Sequence, residues 1–108
     1  MKIFLSLILL LSSSLVAAEC TRPAAPELPD GTTSDLETMV AGQQKVKAFM
    51  AESNAYLECL TAEGDAAVEE EPEAQMARIA EHNSAVEEQE AVAAEFNAEI
   101  KEYKAKAQ

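Results

Sequence analysis

The stretch IAEHNSAVEEQEAVAAEFNAEIKEY, residues 79–103, decides the fold. Within it Ile79, Val86, Ala93 and Ile100 recur at intervals of seven, continued by Ala107, and His82, Gln89, Phe96 and Tyr103 form a second row three positions further on. A heptad held over four repeats keeps one stripe of an α-helix turned toward a partner helix. Pro72 suits a first helical turn and Glu73 the positive end of the helix dipole, while Lys101, Lys104 and Lys106 suit the carbonyl end. The spacing therefore predicts a helix over about 72–106.

Its partner lies upstream. Leu36, Met39, Gln43, Val46, Met50, Ser53, Leu57 and Leu60 alternate in steps of three and four, and Val40, Phe49 and Tyr56 widen the stripe. Ser34-Asp35-Leu36-Glu37 reads as a capping box that starts this helix, which the pattern carries over about 34–62. Glu63-Gly64-Asp65 and Glu69-Glu70-Glu71-Pro72 break it, leaving an acidic loop over about 63–71. Neither stripe is stable in water alone, so the expected fold is all-α, an antiparallel, coiled-coil-like two-helix hairpin spanning 34–108. That arrangement sets the Lys-rich end of the second helix beside Asp35 and Glu37. The aromatic residues Phe49, Tyr56, Phe96 and Tyr103 are the expected anchors, in the core or at an interface.

Residues 19–33 precede the hairpin and carry Pro23, Pro26 and Pro29, followed by Asp30-Gly31-Thr32. This spacing favours an extended, polyproline-like arm ending in an open turn. The 25 helical steps from Ser34 to Cys59 cover roughly 38 Å. The 14 steps from Cys20 to Ser34 cover at most roughly 43 Å in polyproline form. An arm folded back along the first helix reaches Cys59, and the two cysteines are expected to form a Cys20–Cys59 disulfide. A redox-active pair is less well supported, because the cysteines are not a Cys-x-x-Cys unit and no cation adjoins Cys59.

Residues 1–18 have the physical form of a secretory signal: Lys2, an apolar run from Ile3 to Leu11, and the small-residue ending Val16-Ala17-Ala18. The run is too short to span a bilayer, and Glu19 stands where lipid attachment at Cys20 would need a small residue. Cleavage after Ala18 leaves no stable membrane anchor and a periplasmic or secreted chain. With Lys2 removed, seven cations remain against 20 acids, a charge of −13 where the whole chain carries −12. Such a balance excludes a phosphate-backbone binder, so nucleic acid is not an expected partner. Alanine supplies about half of the mature chain's apolar residues, so the helices approach closely over a thin core.

Cys20-Thr21-Arg22-Pro23, Leu28-Pro29-Asp30-Gly31, Met39 with Gln43, Gln44, Val46 and Lys47, and Tyr56-Leu57-Glu58-Cys59-Leu60 resemble a group of short exported proteobacterial proteins of unknown function. Those proteins carry a Cys/Pro-rich arm and a Tyr-Leu-x-Cys-Leu helix motif. The resemblance covers the arm and the first helix, and loosely Phe96-Asn97. It implies a periplasmic or secreted location and brings no active site with it.

Residues able to carry chemistry are few. His82 is the sole histidine and falls in the second helix's stripe, where packing accounts for it better than metal ligation, since Arg78 and Glu81 do not complete a ligand set. Ser34, Ser53 and Ser84 would all have to share that one His, so hydrolytic triads have little support. Glu63, Asp65, Glu69, Glu70, Glu71 and Glu73 lack the alternating ligands and turn glycine of an EF-hand loop, and a solvated loop accounts for them. Met39, Met50 and Met76 sit at core spacing, not as a copper-binding methionine box. No cofactor is implied. The expected role is that of an exported, non-catalytic binding, scaffold or self-associating module, whose partner is an envelope protein or a second copy. The alternative is weak binding of a divalent cation by the acidic loop.

Overall fold

The computed structural model describes residues 20–67 and 69–106. The expected signal segment, 1–18, and Ala107 of the heptad row lie outside them. Two helices, α1 (Leu36–Ala66) and α2 (Pro72–Lys106), pack as a hairpin. An extended arm runs from Cys20 to Asp30, and among the described residues there is no strand.

Helix α1 begins one residue later than a Ser34 cap would place it. Asp35 is the N-cap, and its Oδ1 accepts from the Thr38 amide at 2.8 Å. Ser34 is already committed to the preceding turn: its N–H donates to the Asp30 carbonyl at 2.9 Å, and its own carbonyl accepts from Lys106 Nζ. Asp30 Oδ1 closes that turn by accepting from the Thr32 amide at 2.9 Å and the Thr32 hydroxyl at 2.6 Å.

The far end of α1 also departs from the pattern. The helix continues through Glu63-Gly64-Asp65 to Ala66, and the Ala67 amide closes it on the carbonyls of Glu63 and Gly64. A glycine inside a helix costs about 1 kcal/mol relative to alanine. Here the guanidinium of Arg78 lies against Gly64, and Glu70 holds Arg78 with two bonds of 2.5 and 2.6 Å. This fork fastens the reversal onto α2 and shortens it to 67–71.

The buried stripe is rotated from the expected one. On α1 it runs Met39, Gly42, Phe49, Ser53, Tyr56, Leu60, with Val46 half-buried in the same rows. On α2 the buried residues are Ala85, Val92 and Phe96. The row His82, Gln89, Phe96, Tyr103 keeps its place toward α1, but its companion is the row of Ala85 and Val92, not that of Ile79 and Val86. Leu36 is 63% exposed, Val40 46% and Ile79 51%. The cause is the arm: it fills the groove on one side of the helix pair, and both helices turn their buried rows toward it. Tyr56, Leu60 and Ala85 form the tightest cluster, with Cys20 of the arm and Leu57 packed against it. Small residues fill the closest approach, Ser53 being 2% exposed.

Two substitutions separate the rows in the single, unpartnered chain. There Phe49→Ala should lower stability by about 3 kcal/mol, as for a buried aromatic, whereas Leu36→Ala should stay within about 0.5 kcal/mol, as for an exposed position. Urea unfolding followed by circular dichroism measures both, and equal losses would contradict the rotated seam.

Candidate functional site

The hairpin has two unlike sides, one closed by the arm and one open. On the closed side the Cys20–Cys59 disulfide joins arm to α1 with the Cα atoms 5.6 Å apart. Arg22 then reaches across to α2, donating to Glu81 at 3.5 Å, Ser84 at 3.1 Å and Glu88 at 3.4 Å. Glu81 Oε2 also accepts from the buried Tyr56 hydroxyl at 3.1 Å. Burial first, and then this carboxylate, push the Tyr56 phenol above its ordinary range. Arg22 was not singled out by sequence reasoning. The available clue is that Arg22 is the one cation between residues 3 and 44, while Glu81 and Glu88 stand one heptad apart.

Two glycines let the arm settle. A Cβ on Gly42 would lie 2.7 Å from the Pro29 ring, and a Cβ on Gly31 would lie 1.9 Å from the Glu99 carbonyl oxygen. Gly31 also donates its amide to Glu99 Oε2 at 2.7 Å. Lys106 secures the end of the turn through the Ser34 carbonyl and stands 4.9 Å over the Tyr103 ring.

The sequence-derived chemical candidates are dispersed. His82 is half-buried in a shallow cleft with Leu60, Thr61, Arg78, Ile79 and Asn83, about 190 Å³ in volume. That is below the roughly 300–1,000 Å³ typical of small-molecule sites. Ser84 is bound to Arg22 and Ser53 is buried in the helix seam. Met39 and Met50 are separated along α1 by about 16 Å, too far to share an ion. Among the described residues, the trios of ligand-type groups that converge are Cys20, Cys59 and Glu63, and Asp30, Glu99 and Glu102. In the first the sulfurs are bonded to each other and offer no thiolate. Neither is formed by carboxylates of the acidic loop alone. In that loop Glu70 is held by Arg78, whose hydrogen bonds keep its carboxyl below the usual range.

Of the four aromatic anchors, Phe49, Tyr56 and Phe96 are buried in the seam. Tyr103 is half-buried and borders the open side near Leu36 and Val40. That open side carries apolar residues along its length, interleaved on α1 with Gln43, Lys47, Asn54 and Thr61. Leu36, Val40, Met76 and Ile79 are exposed, and Met50, Leu57, Val86, Ala93 and Ile100 are half-covered. The Gln89 amide donates to Asn54 Oδ1 at 2.9 Å and ties the helices together midway. Among the described residues no helix is long and apolar enough to cross a membrane. No family model, curated protein or solved structure matches the chain.

The arm's attachments predict two responses. Reducing the disulfide, or replacing both cysteines with Ser, should lower stability by about 4 kcal/mol at most, from loop-closure entropy over 39 intervals. Gly42→Leu should unseat Pro29 with the disulfide intact, so amides of 26–33 exchange faster while those of α2 stay protected; a melting curve unchanged in reductant would refute the clasp.

The second response concerns pH. Glu102 is raised above the ordinary glutamate range, first by its hydrogen bond to Glu99 and then by the charge of that neighbour. A raised carboxyl stabilises the fold while protonated, and its contribution is lost as pH rises through the folded value. Asp30 and Asp35 are held low by the Thr32 and Thr38 donors, and Glu70 by Arg78, so their contributions are lost as pH falls through their folded values. Through these groups stability should rise on acidification through the raised value of Glu102, reach a maximum near the ordinary carboxylate range, and then fall. Glu102→Gln should flatten the neutral limb of a melting temperature against pH profile.

Proposed function

We propose that this chain is an exported, non-catalytic docking module. Its disulfide-clasped hairpin presents the arm-free side to a helical partner in the cell envelope. The observation that carries the reading is the composition of that side. The α1 row Leu36, Val40, Gln43, Lys47, Met50, Asn54, Leu57 and Thr61 contains no acid, although the chain has 20. The neighbouring α2 row Ile79, Val86, Ala93 and Ile100 contains no charge at all. Depletion of charge over an apolar centre, with polar groups at the rim, is the composition of interface cores. Exposed, contiguous apolar surface in a small protein marks a binding face. Amphipathic helices of a partner fit a groove between two helices.

A periplasmic or secreted location agrees with the signal-like residues 1–18, with the disulfide, and with the resemblance to short exported proteobacterial proteins. A non-catalytic role agrees with the dispersal of His82, the serines and the methionines. A photo-crosslinking residue placed at Val40 or Ile79 in cells should give discrete adducts, and one placed at the outward-facing Glu87 should not. Equal labelling from Glu87, or none from the open side, would remove the basis for docking.

A further inference from the structure

We propose that the occupant of the open side is a second copy of this chain, packed antiparallel to the first as a two-fold symmetric four-helix bundle. The inference rests on the docking reading and adds the identity and direction of the partner.

Size comes first. The open side runs from the level of Leu36 and Lys104 to that of Thr61 and Ile79, about 38 Å along the helices. It is two helices wide, about 20 Å, so each copy would cover on the order of 750 Å². A stable interface takes about 800 Å² from each partner. The heptad row Ile79, Val86, Ala93, Ile100 is also continuous with the buried seam, so one further layer of knobs-into-holes packing continues the packing already present.

Charge selects the partner's direction. The acids Glu63, Asp65, Glu69, Glu70, Glu71 and Glu73 cluster at the reversal, where Arg78 is the cation that α2 supplies. Lys101, Lys104 and Lys106 stand at the opposite end among Asp30, Asp35, Glu37, Glu99 and Glu102, so that end is much less negative than the reversal, and Lys104 borders the open side beside Leu36 and Ile100. A parallel dimer would lay the two acidic reversals side by side. An antiparallel dimer separates them and sets each near the other copy's lysines, the lower-energy arrangement for chains of this net charge. The two-fold axis then passes near Met50 and Ala93, both uncharged, with the opposite charges of Lys47 and Glu90 one turn away, so the face can meet a copy of itself. The Gln89 to Asn54 pair holds the two helices of each copy in register there.

The test uses the mature, oxidised chain. Sedimentation equilibrium should give twice the chain mass, and the double variant Val40→Glu, Ile79→Glu should give the monomer mass. Both positions are exposed in the single chain, so the variant's circular dichroism and disulfide should be unchanged. Direction is read by zero-length carbodiimide crosslinking of a mixture of ¹⁴N and ¹⁵N chains. Mixed-isotope links from Lys104 to Glu69 or Glu73 support the antiparallel bundle. Mixed links confined to Lys104 with Glu102 or Asp35 overturn it in favour of a parallel pair. A monomer at every soluble concentration overturns self-association altogether. If photo-crosslinks from Ile79 then still trap a different protein, the docking reading stands without this inference; if they trap nothing, both fall.

Discussion

The arm lies in the interhelical groove because two backbone positions let it approach within van der Waals contact. At Gly42 the Pro29 ring occupies the space of a side chain, and at Gly31 the arm rests on the α2 backbone at Glu99. Between these points and the disulfide to Cys59, the twelve residues 20–31 are held to both helices at once. The arm has little regular hydrogen bonding of its own, so its ordering entropy is met by those attachments and by Arg22 across Glu81, Ser84 and Glu88. The rest of the packing adjusts to it. Helices that would otherwise meet along their most apolar rows are turned to cover the arm, which is why Ser53 and Ala85 are buried while Leu36 and Ile79 are exposed.

This arrangement gives the molecule two unlike sides. The closed side is a fastening: a disulfide, a three-way Arg22 contact, and a turn anchored by Glu99 and Lys106. The reversal has its own fastening in the Arg78–Glu70 fork. What remains free is a long strip of Leu, Val, Ile, Met and Ala with Gln43, Lys47, Asn54 and Thr61 among them, reaching from the lysines near the end of α2 to the acids of the reversal. A binding face uses the same features well, since it needs apolar area, few charges at its centre and a graded charge along its rim.

The charge distribution also bears on how firmly the fold holds. Twelve excess negative charges on the chain repel one another and oppose compaction. Glu99 and Glu102 sit together at the turn of the arm, so part of that repulsion falls where the arm must dock. The covalent clasp lies at the other end of the arm, next to the tightest apolar cluster of Tyr56, Leu60 and Ala85. The arm is thus held covalently at one end and by titratable groups at the other, and its turn is the part most sensitive to pH.

Local periodicity and chain arithmetic were sufficient for two helices, their antiparallel pairing, and the reach of Cys20 to Cys59. Each depends on spacings of three, four or seven, or on the length of an extended segment, and these are written along the chain. The start of α2 at Pro72 was readable for the same reason, because proline and the helix dipole act within one turn. Three matters were beyond such reading. The choice between neighbouring apolar rows depended on a third body: α1 and α2 each carry two rows able to pack, and the arm's place in one groove settled which was buried. The extension of α1 through Gly64 depended on Arg78, a residue fourteen positions away. The cap is Asp35, whose carboxylate accepts from Thr38, while the backbone of Ser34 belongs to the preceding turn through Asp30 and Lys106. Local propensity ranks what a segment can do alone, while contacts between segments distant in sequence select among options that differ by about a kcal/mol.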